Sequence, residues 1–309
     1  MKWFSPRGAP VLMVVGALAV TTCTAALACS SEKAEAPRGD CPTEPIRVIV
    51  TVSPWRDLVE RLAGDCASTT TIVAGGAVDP HDFEPTPSDR AQIEDADLRV
   101  MNGVGYDHWA RLALDATDDP PVVVEAQAVA RVDDGEDPHL WYSPEIVAAV
   151  ADAAGDALRR SMPAAAAYLQ SRASAVAEYL SPYRDRIAAL HTITRGATYA
   201  ATEAVFGRLA AALDMLDVTP SGFRRAIKNE ADPSPADIAE LRAAVNGGEV
   251  DVLVMNPQID NPGTREILDE AAGQGVAIVE ISETPEPTDR GFVAWQMRQL
   301  SALEVALRG

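Results

Sequence analysis

The amino-acid sequence predicts an α/β protein of two (β/α) lobes, each with a parallel sheet, joined by a long linking helix. Short β-branched runs alternate with helical segments up to residue 125. An Ala-rich stretch over residues 143–191 then carries apolar side chains at helical spacing, and the strand–helix alternation starts again after it. A chain of 309 residues is long enough to build two such cores.

The N-terminal lobe is predicted to span residues 44–160. Its first strand is the β-branched run Ile46–Val52, which Pro45 and Ser53 bound. Pro54 suits the first turn of a helix that continues to Ala63. The same criteria predict further strands at 68–73, 98–102 and 122–125, with helices at 88–96 and 106–114. This alternation implies parallel strands connected by crossover helices.

The linking segment and the C-terminal lobe follow. Pro163 separates two predicted helices, and the second, over residues 164–191, is unusually long, so we predict that residues 161–191 link the lobes. The C-terminal lobe, residues 192–309, is predicted to contain strands at 197–201, 250–255 and 276–281 and helices at 204–213, 235–245, 263–274 and 292–307. A cleft between two lobes is the usual place for a ligand site.

Residues 1–28 are typical of a secretory signal peptide. Lys2 and Arg7 precede a short apolar stretch at 10–20, and small residues continue to Ala28. The stretch is too short to span a membrane comfortably, so a membrane anchor or a buried helix is the less favoured alternative. We therefore expect an exported protein in which residues 29–43 form a polar tether.

The four cysteines predict two modifications. Ala26-Leu27-Ala28-Cys29 resembles the lipobox of bacterial lipoproteins, so Cys29 is the predicted lipidation site, with Cys23 as a second candidate. That pattern prefers Leu where Ala26 stands. Cys41 and Cys66 precede the first and second strands, which would bring them close if these strands are neighbours. In an oxidising compartment a disulfide is the default, and two free thiols are the alternative.

Composition excludes several classes of protein. Lys and Arg number 26 against 46 Asp and Glu, and the net charge of −20 gives no basic footprint for nucleic acid. A hydrophobic content of 47% rules out wholesale disorder. The sequence has no GxSxG, HExxH or GxxxxGKS/T motif, which argues against an enzyme.

Two of the four histidines lie in matching loops. Asp79-Pro80-His81 and Asp137-Pro138-His139 each have His directly after Asp-Pro, with an aromatic residue two positions on. Because Pro restricts the backbone, a His in such a loop meets a ligand with less ordering cost. Imidazole is the commonest metal ligand, and two of them invite carboxylate partners. A metal site is therefore favoured over two histidines that only cap backbone groups.

Three segments resemble the TroA- and ZnuA-like metal-binding lipoproteins of ABC transporters for zinc and manganese. Residues 80–89 resemble the first-ligand loop of that family, residues 102–109 the segment after its third strand, and residues 137–141 its second-ligand loop. The resemblance extends from Ile46 to Leu307, and the first loop is its most specific part. It implies two lobes, a rigid linking helix and one divalent metal in the interlobe cleft.

The resemblance also implies a set of ligands, two from each lobe. In the N-terminal lobe these fall on His81 and His139. The third ligand, His or Glu in the family, falls on Glu203. The fourth is typically Asp, and Glu283 occupies its place here with one methylene more. Glu280, inside the predicted strand, is the fallback.

The function implied by the resemblance is that of an extracytoplasmic solute-binding protein. It would capture Mn²⁺ or Zn²⁺, with Fe²⁺ as a third candidate, and deliver the metal to an ABC permease. We expect a monomer that is no enzyme, binds no nucleic acid and is lipid-anchored on the outer face of the cell membrane. Two alternatives stay open. One is an exported metal-dependent hydrolase with Glu84 as base, and the other is an adhesin or metal chaperone on the same fold.

Overall fold

The computed structural model covers most of the predicted mature chain. It describes residues 41–75, 83–115, 122–229, 231–259 and 262–309, without the side chains of Asp115 and Pro262. The predicted signal peptide 1–28, the lipidation site Cys29, the tether up to residue 40 and the predicted ligand His81 lie outside the described residues.

The first sheet belongs to the N-terminal lobe and is wholly parallel. Its strands are β1 (Ile46–Val52), β2 (Ala67–Val73), β3 (Leu98–Met101) and β4 (Val122–Glu125), in the order β2-β1-β3-β4. The helices are α1 (Arg56–Ala63), α2 (Pro87–Glu94), α3 (His108–Asp115), α4 (Ala126–Ala130) and α5 (Pro144–Ser161). The central strands β1 and β3 are the most deeply buried, as expected when helices cover both faces of a parallel sheet.

The second sheet repeats this arrangement in the C-terminal lobe. Its strands are β5 (Thr198–Ala201), β6 (Leu216–Asp217), β7 (Val252–Met255) and β8 (Ala277–Glu280), all parallel, in the order β6-β5-β7-β8. The helices are α8 (Gly207–Ala212), α9 (Ser221–Lys228), α10 (Pro235–Asn246), α11 (Pro262–Gln274) and α12 (Phe292–Arg308). The predicted class, two α/β lobes with parallel sheets, is confirmed.

The linking segment differs from the single helix predicted over residues 164–191. It forms α6 (Ala166–Tyr179) and α7 (Ser181–Thr194), which are separated at Leu180. Pro182 lies in the first turn of α7, and because Pro has no amide hydrogen it cannot donate the next bond of a continuous helix.

Across the described ranges, none of the helices combines the length and apolarity needed to cross a bilayer.

One hydrophobic core continues from the first lobe into the second. Trp55, Trp141, Tyr142 and Trp295 form a chain of ring contacts, with successive centroids 6.5, 6.3 and 5.7 Å apart. All four side chains are fully buried. Aromatic side chains bury large apolar areas, so this chain stabilises the lobes in one relative position.

A charged contact ties α12 to the N-terminal lobe. Asp57 on α1 accepts hydrogen bonds from the Phe292 amide at 3.0 Å and from the Tyr179 hydroxyl at 2.8 Å. Arg61 pairs with the same carboxylate at 2.9 Å and lies 3.8 Å over the Tyr179 ring. Gly291 permits this approach, because a Cβ there would lie 2.6 Å from Asp57 Oδ1. The first amide of α12 is thus satisfied from another lobe.

We expect Asp57→Ala to lower the free energy of unfolding by about 1–3 kcal/mol, because it removes the acceptor of the Phe292 amide and the partner of Arg61. Urea unfolding followed by circular dichroism measures the change. Glu60→Ala, on the same helix, removes an exposed ion pair with Arg56 and should change it by less than about 1 kcal/mol. Equal losses in the two variants would contradict the contact with α12.

A disulfide fixes the start of the N-terminal lobe. Cys41 and Cys66 are bonded, with their Cα atoms 4.8 Å apart and a sequence separation of 25. The two cysteines precede β1 and β2, which are parallel neighbours with Ile46 opposite Ala67. Parallel pairing therefore brings both residues to the same edge of the sheet.

Removing this disulfide should destabilise the protein. By chain entropy, a loop of this length gives Cys41→Ser/Cys66→Ser a loss of about 3.5 kcal/mol. Urea unfolding of the variant, and of the wild type with and without dithiothreitol, measures it. Cys66 is fully buried, so its replacement by Ser also buries a hydroxyl group. If the variant loses stability but the reduced wild type does not, the loss comes from that hydroxyl and not from the missing disulfide.

Candidate functional site

His139 is held in one orientation by the two residues before it. Pro138 restricts the backbone, and Asp137 Oδ1 accepts a hydrogen bond from the His139 amide at 2.9 Å. The same oxygen lies 2.7 Å from His139 Nδ1, and since a carboxylate is an acceptor, Nδ1 carries the proton. Asn102, directly after β3, donates to the Pro138 carbonyl at 2.9 Å. Nε2 is therefore the nitrogen that His139 presents to a ligand.

Glu283 reaches this imidazole from the other lobe. Its Oε1 lies 3.7 Å from His139 Nε2 and accepts a hydrogen bond from Asn256 Nδ2 at 3.1 Å. Its Oε2 accepts a hydrogen bond from the Tyr106 hydroxyl at 2.9 Å. His139 and Glu283 are only 4% and 5% exposed, so the pair is shielded from water.

The electrostatics of this cluster favour a positive charge. Burial alone would lower the pKa of His139, but the hydrogen bond to Asp137 and the negative charges of Asp137 and Glu283 outweigh burial and raise the pKa to about 10. Burial acts to raise the pKa of Asp137, but His139, with a smaller effect from Arg208, holds it below its usual value. Two carboxylates on either side of one imidazole thus stabilise a cation in a buried position.

A cavity of about 440 Å³ adjoins the pair. Glu203, which follows β5, lines it together with His139 and Glu283. Three of the four predicted ligands therefore share one cavity, and the fourth, His81, lies outside the described residues. Within the described ranges, no three His, Cys, Asp or Glu side chains are grouped closely enough to hold a metal ion.

The other candidates lie elsewhere. Glu280, the fallback for the fourth ligand, is exposed at the end of β8, whereas Glu283 is buried. His108 is exposed at the start of α3. His191 Nε2 lies 2.6 Å from the Ala212 carbonyl, which is a structural contact at the end of α7. Glu84, the base of the hydrolase alternative, is exposed.

Three residues that contact His139 or Glu283 were not among the predicted ligands. Asp137 was recognised only as part of the repeated Asp-Pro-His pattern, although a carboxylate two residues before a His can reach its ring. Asn256 directly follows β7, a position that parallel sheets direct to the site edge. Tyr106 lies in a segment that resembled the family, but nothing in the sequence indicates its contact with a residue 177 positions away.

A family model and several known proteins match this chain, over shares that range from about a third to most of its length. A model of the family described as "zinc-uptake complex component A, periplasmic" matches residues 48–306. The manganese-binding lipoprotein MntA of Halalkalibacterium halodurans is 34% identical over 102 residues, 32% of this chain and 34% of that protein. The iron-binding protein YfeA of Yersinia pestis is 24% identical over 247 residues, 76% of this chain and 77% of that protein.

A solved structure agrees with the architecture. Zn(II)-bound AdcA from Streptococcus pneumoniae superposes with a TM-score of 0.69 at 22% identity, covering 86% of this chain and 58% of that chain. At this identity the likeness establishes the fold. The matched region thus spans about a third of the length of MntA and 58% of AdcA.

Proposed function

Because the chain belongs to the zinc-uptake complex component A family, we propose that it is an extracytoplasmic solute-binding protein, which captures a divalent transition metal and delivers it to an ABC permease. One observation carries the proposal. His139 Nε2 and Glu283 Oε1 come within 3.7 Å from opposite lobes, in a buried environment that stabilises a cation. A metal ion can take the position between these two donors.

The proposed ligands are His81, His139, Glu203 and Glu283. His139 and Glu283 offer a nitrogen and an oxygen donor that are already close together. Glu203 lines the same cavity and would supply the third donor. His81 completes the set from the other Asp-Pro-His loop. Asp137 acts behind His139, since a carboxylate on the far nitrogen fixes the ring and raises its basicity.

The cargo is Mn²⁺ or Zn²⁺, with Fe²⁺ as a third candidate. Relatives are named for binding manganese and iron, and the superposed structure is described as Zn(II)-bound. The general stability order of divalent metal complexes favours zinc over manganese at most sites, whereas a site with two carboxylates suits the harder manganese ion. Ligand chemistry slightly favours manganese here.

A binding role suits the site better than hydrolysis. A catalytic metal needs an open position for water, whereas a transport site can be closed. Both oxygens of Glu283 are already hydrogen-bonded, to Tyr106 and Asn256. The base of the hydrolase alternative, Glu84, is exposed to solvent.

The proposal also covers export, lipid anchoring, lobe boundaries and partners. The proposal includes cleavage of residues 1–28, lipidation of Cys29 on the outer face of the cell membrane, and a tether over residues 29–43. The lobes comprise residues 44–160 and 192–309, with 161–191 as the link. The monomer docks on its permease, and nucleic acid plays no part.

The proposal is tested by measuring bound metal. We expect the protein, purified without an affinity tag and reconstituted, to hold about one equivalent of manganese, zinc or iron. His139→Ala should lose this metal, because it removes the nitrogen donor beside Glu283. Elemental analysis after desalting gives the stoichiometry.

Two matched variants serve as controls. His108→Ala removes an exposed His and should retain the metal. Glu280→Gln removes an exposed carboxylate and should also retain it, whereas Glu283→Gln should lose it. Retention of a full equivalent by His139→Ala, or no metal in the wild type with any of the three ions, would refute the proposal.

A second prediction concerns the residue behind His139. We expect Asp137→Asn to weaken metal binding about 10–100-fold at unchanged stoichiometry, because the ring loses its charged partner. Competition with a chromophoric chelator measures the affinity. Glu136→Gln removes the same charge from the neighbouring exposed position and should leave the affinity within about twofold. Equal weakening by both variants would assign the effect to net charge.

A further inference from the structure

We infer that Tyr106 is a positioning residue, which holds the Glu283 carboxylate across the cleft and directs Oε1 towards His139 before any metal arrives. The inference rests on the proposed function and extends it to a residue with no assigned role. Tyr106 comes from the N-terminal lobe, between β3 and α3, and Glu283 follows β8 in the other lobe. Their hydrogen bond, at 2.9 Å, therefore joins the two lobes at the metal site itself.

Tyr106 is well placed to do this because its own ring is fixed. The ring is 2% exposed and packs edge-on against Trp141, with centroids 5.2 Å apart, and against His139 at 6.1 Å. Its backbone amide donates to the Gly103 carbonyl at 3.1 Å. The hydroxyl therefore points to one position in the cleft.

The next residue, Asp107, fixes the loop that carries Tyr106. Its buried carboxylate accepts hydrogen bonds from the Thr51 hydroxyl at 2.6 Å, the Asn102 amide at 2.7 Å and the Gly103 amide at 2.8 Å. These bonds tie the loop to β1 and to the end of β3. Because Asp107 is 1% exposed, water does not compete for them.

Glu283 needs such a support more than a shorter acid would. A Glu side chain has one more rotatable bond than Asp, so ordering it on a metal loses more conformational entropy. With Oε2 on Tyr106 and Oε1 on Asn256, the carboxylate is clamped from both lobes. Oε1 stays 3.7 Å from His139 Nε2, so much of the ordering precedes metal binding.

The test compares metal affinity in three single variants of the full chain. Tyr106→Phe keeps the ring and removes the hydroxyl, so we expect affinity for Mn²⁺ and Zn²⁺ to fall about 10–100-fold at unchanged stoichiometry. Tyr183→Phe is the matched control, because the buried Tyr183 hydroxyl has no hydrogen-bond partner among the described residues. The Tyr183 ring packs against Phe292, away from Glu283 in the sequence and in its contacts. Glu283→Asp shortens the ligand so that it no longer reaches Tyr106.

A double-mutant cycle then separates positioning from a general structural effect. If Tyr106 acts through Glu283, Tyr106→Phe should have less than a twofold further effect in the Glu283→Asp background, whereas an independent role gives additive losses. Additive losses, wild-type affinity in Tyr106→Phe, or an equal loss in Tyr183→Phe would each overturn the inference. A phenolate-to-iron absorption band on loading with Fe³⁺, absent from Tyr106→Phe, would overturn it too, because Tyr106 would then be a ligand.

The outcome also separates this inference from the proposed function. Metal bound equally well by the wild type and Tyr106→Phe refutes only the role of Tyr106. No metal in the wild type refutes both. Urea unfolding of the metal-free variants checks the fold. If Tyr106→Phe does not fold, Asn256→Ser is measured instead. This variant removes the amide that donates to Glu283 Oε1, and we expect it to weaken metal binding as well. Unchanged metal affinity in Asn256→Ser would overturn the inference.

Discussion

The site depends on one constraint, which is that all strands of a parallel sheet end at the same edge. β3 leads into Asn102 and the Tyr106 loop, β5 into Glu203, β7 into Asn256, and β8 into Glu283. Each sheet therefore delivers polar side chains to its carboxyl edge, and the two edges meet at the cleft. His139 comes from a loop that Asn102 anchors to the same edge. Without the parallel order, neither half of the cluster would form.

The lobes that carry these edges share one hydrophobic core, and the C-terminal lobe has a second buried cluster of its own. The aromatic chain from Trp55 to Trp295 crosses between them, and Asp57 satisfies the first amide of α12 from the other side. A wide opening of the cleft would expose these rings and leave a buried amide unsatisfied. Small movements of the loops around His139 and Glu203 leave these contacts in place, so under the proposed function capture and release of a cargo ion need not separate the lobes.

Much of the fold could be predicted from the sequence because β-branched runs such as Ile46–Val52 are local signals. The helix predicted from Pro54 begins as one turn of 3-10 helix at Ser53–Trp55 and becomes α1 at Arg56. The family was also predicted correctly, from the loops around His81 and His139. The two-residue strand β6 is too short to give a periodic signal. Pro182 falls inside the helix predicted over residues 164–191, whereas the structure has it in the first turn of α7. The contacts of Glu283 with Tyr106 and Asn256 join distant segments, so no local pattern encodes them.

The disulfide determines how the lobe responds to mechanical force. Cys41 is joined to Cys66, five residues before β1 begins and one residue before β2. Tension applied through the chain ahead of Cys41 therefore passes in part through the sulfur bridge to Cys66, which is buried just before the edge strand β2. The central strand β1 therefore does not carry the whole load, and its hydrogen bonds to β3 are not broken one after another. Because a covalent crosslink shares the load on the N-terminal segment, β1 keeps its register in the sheet.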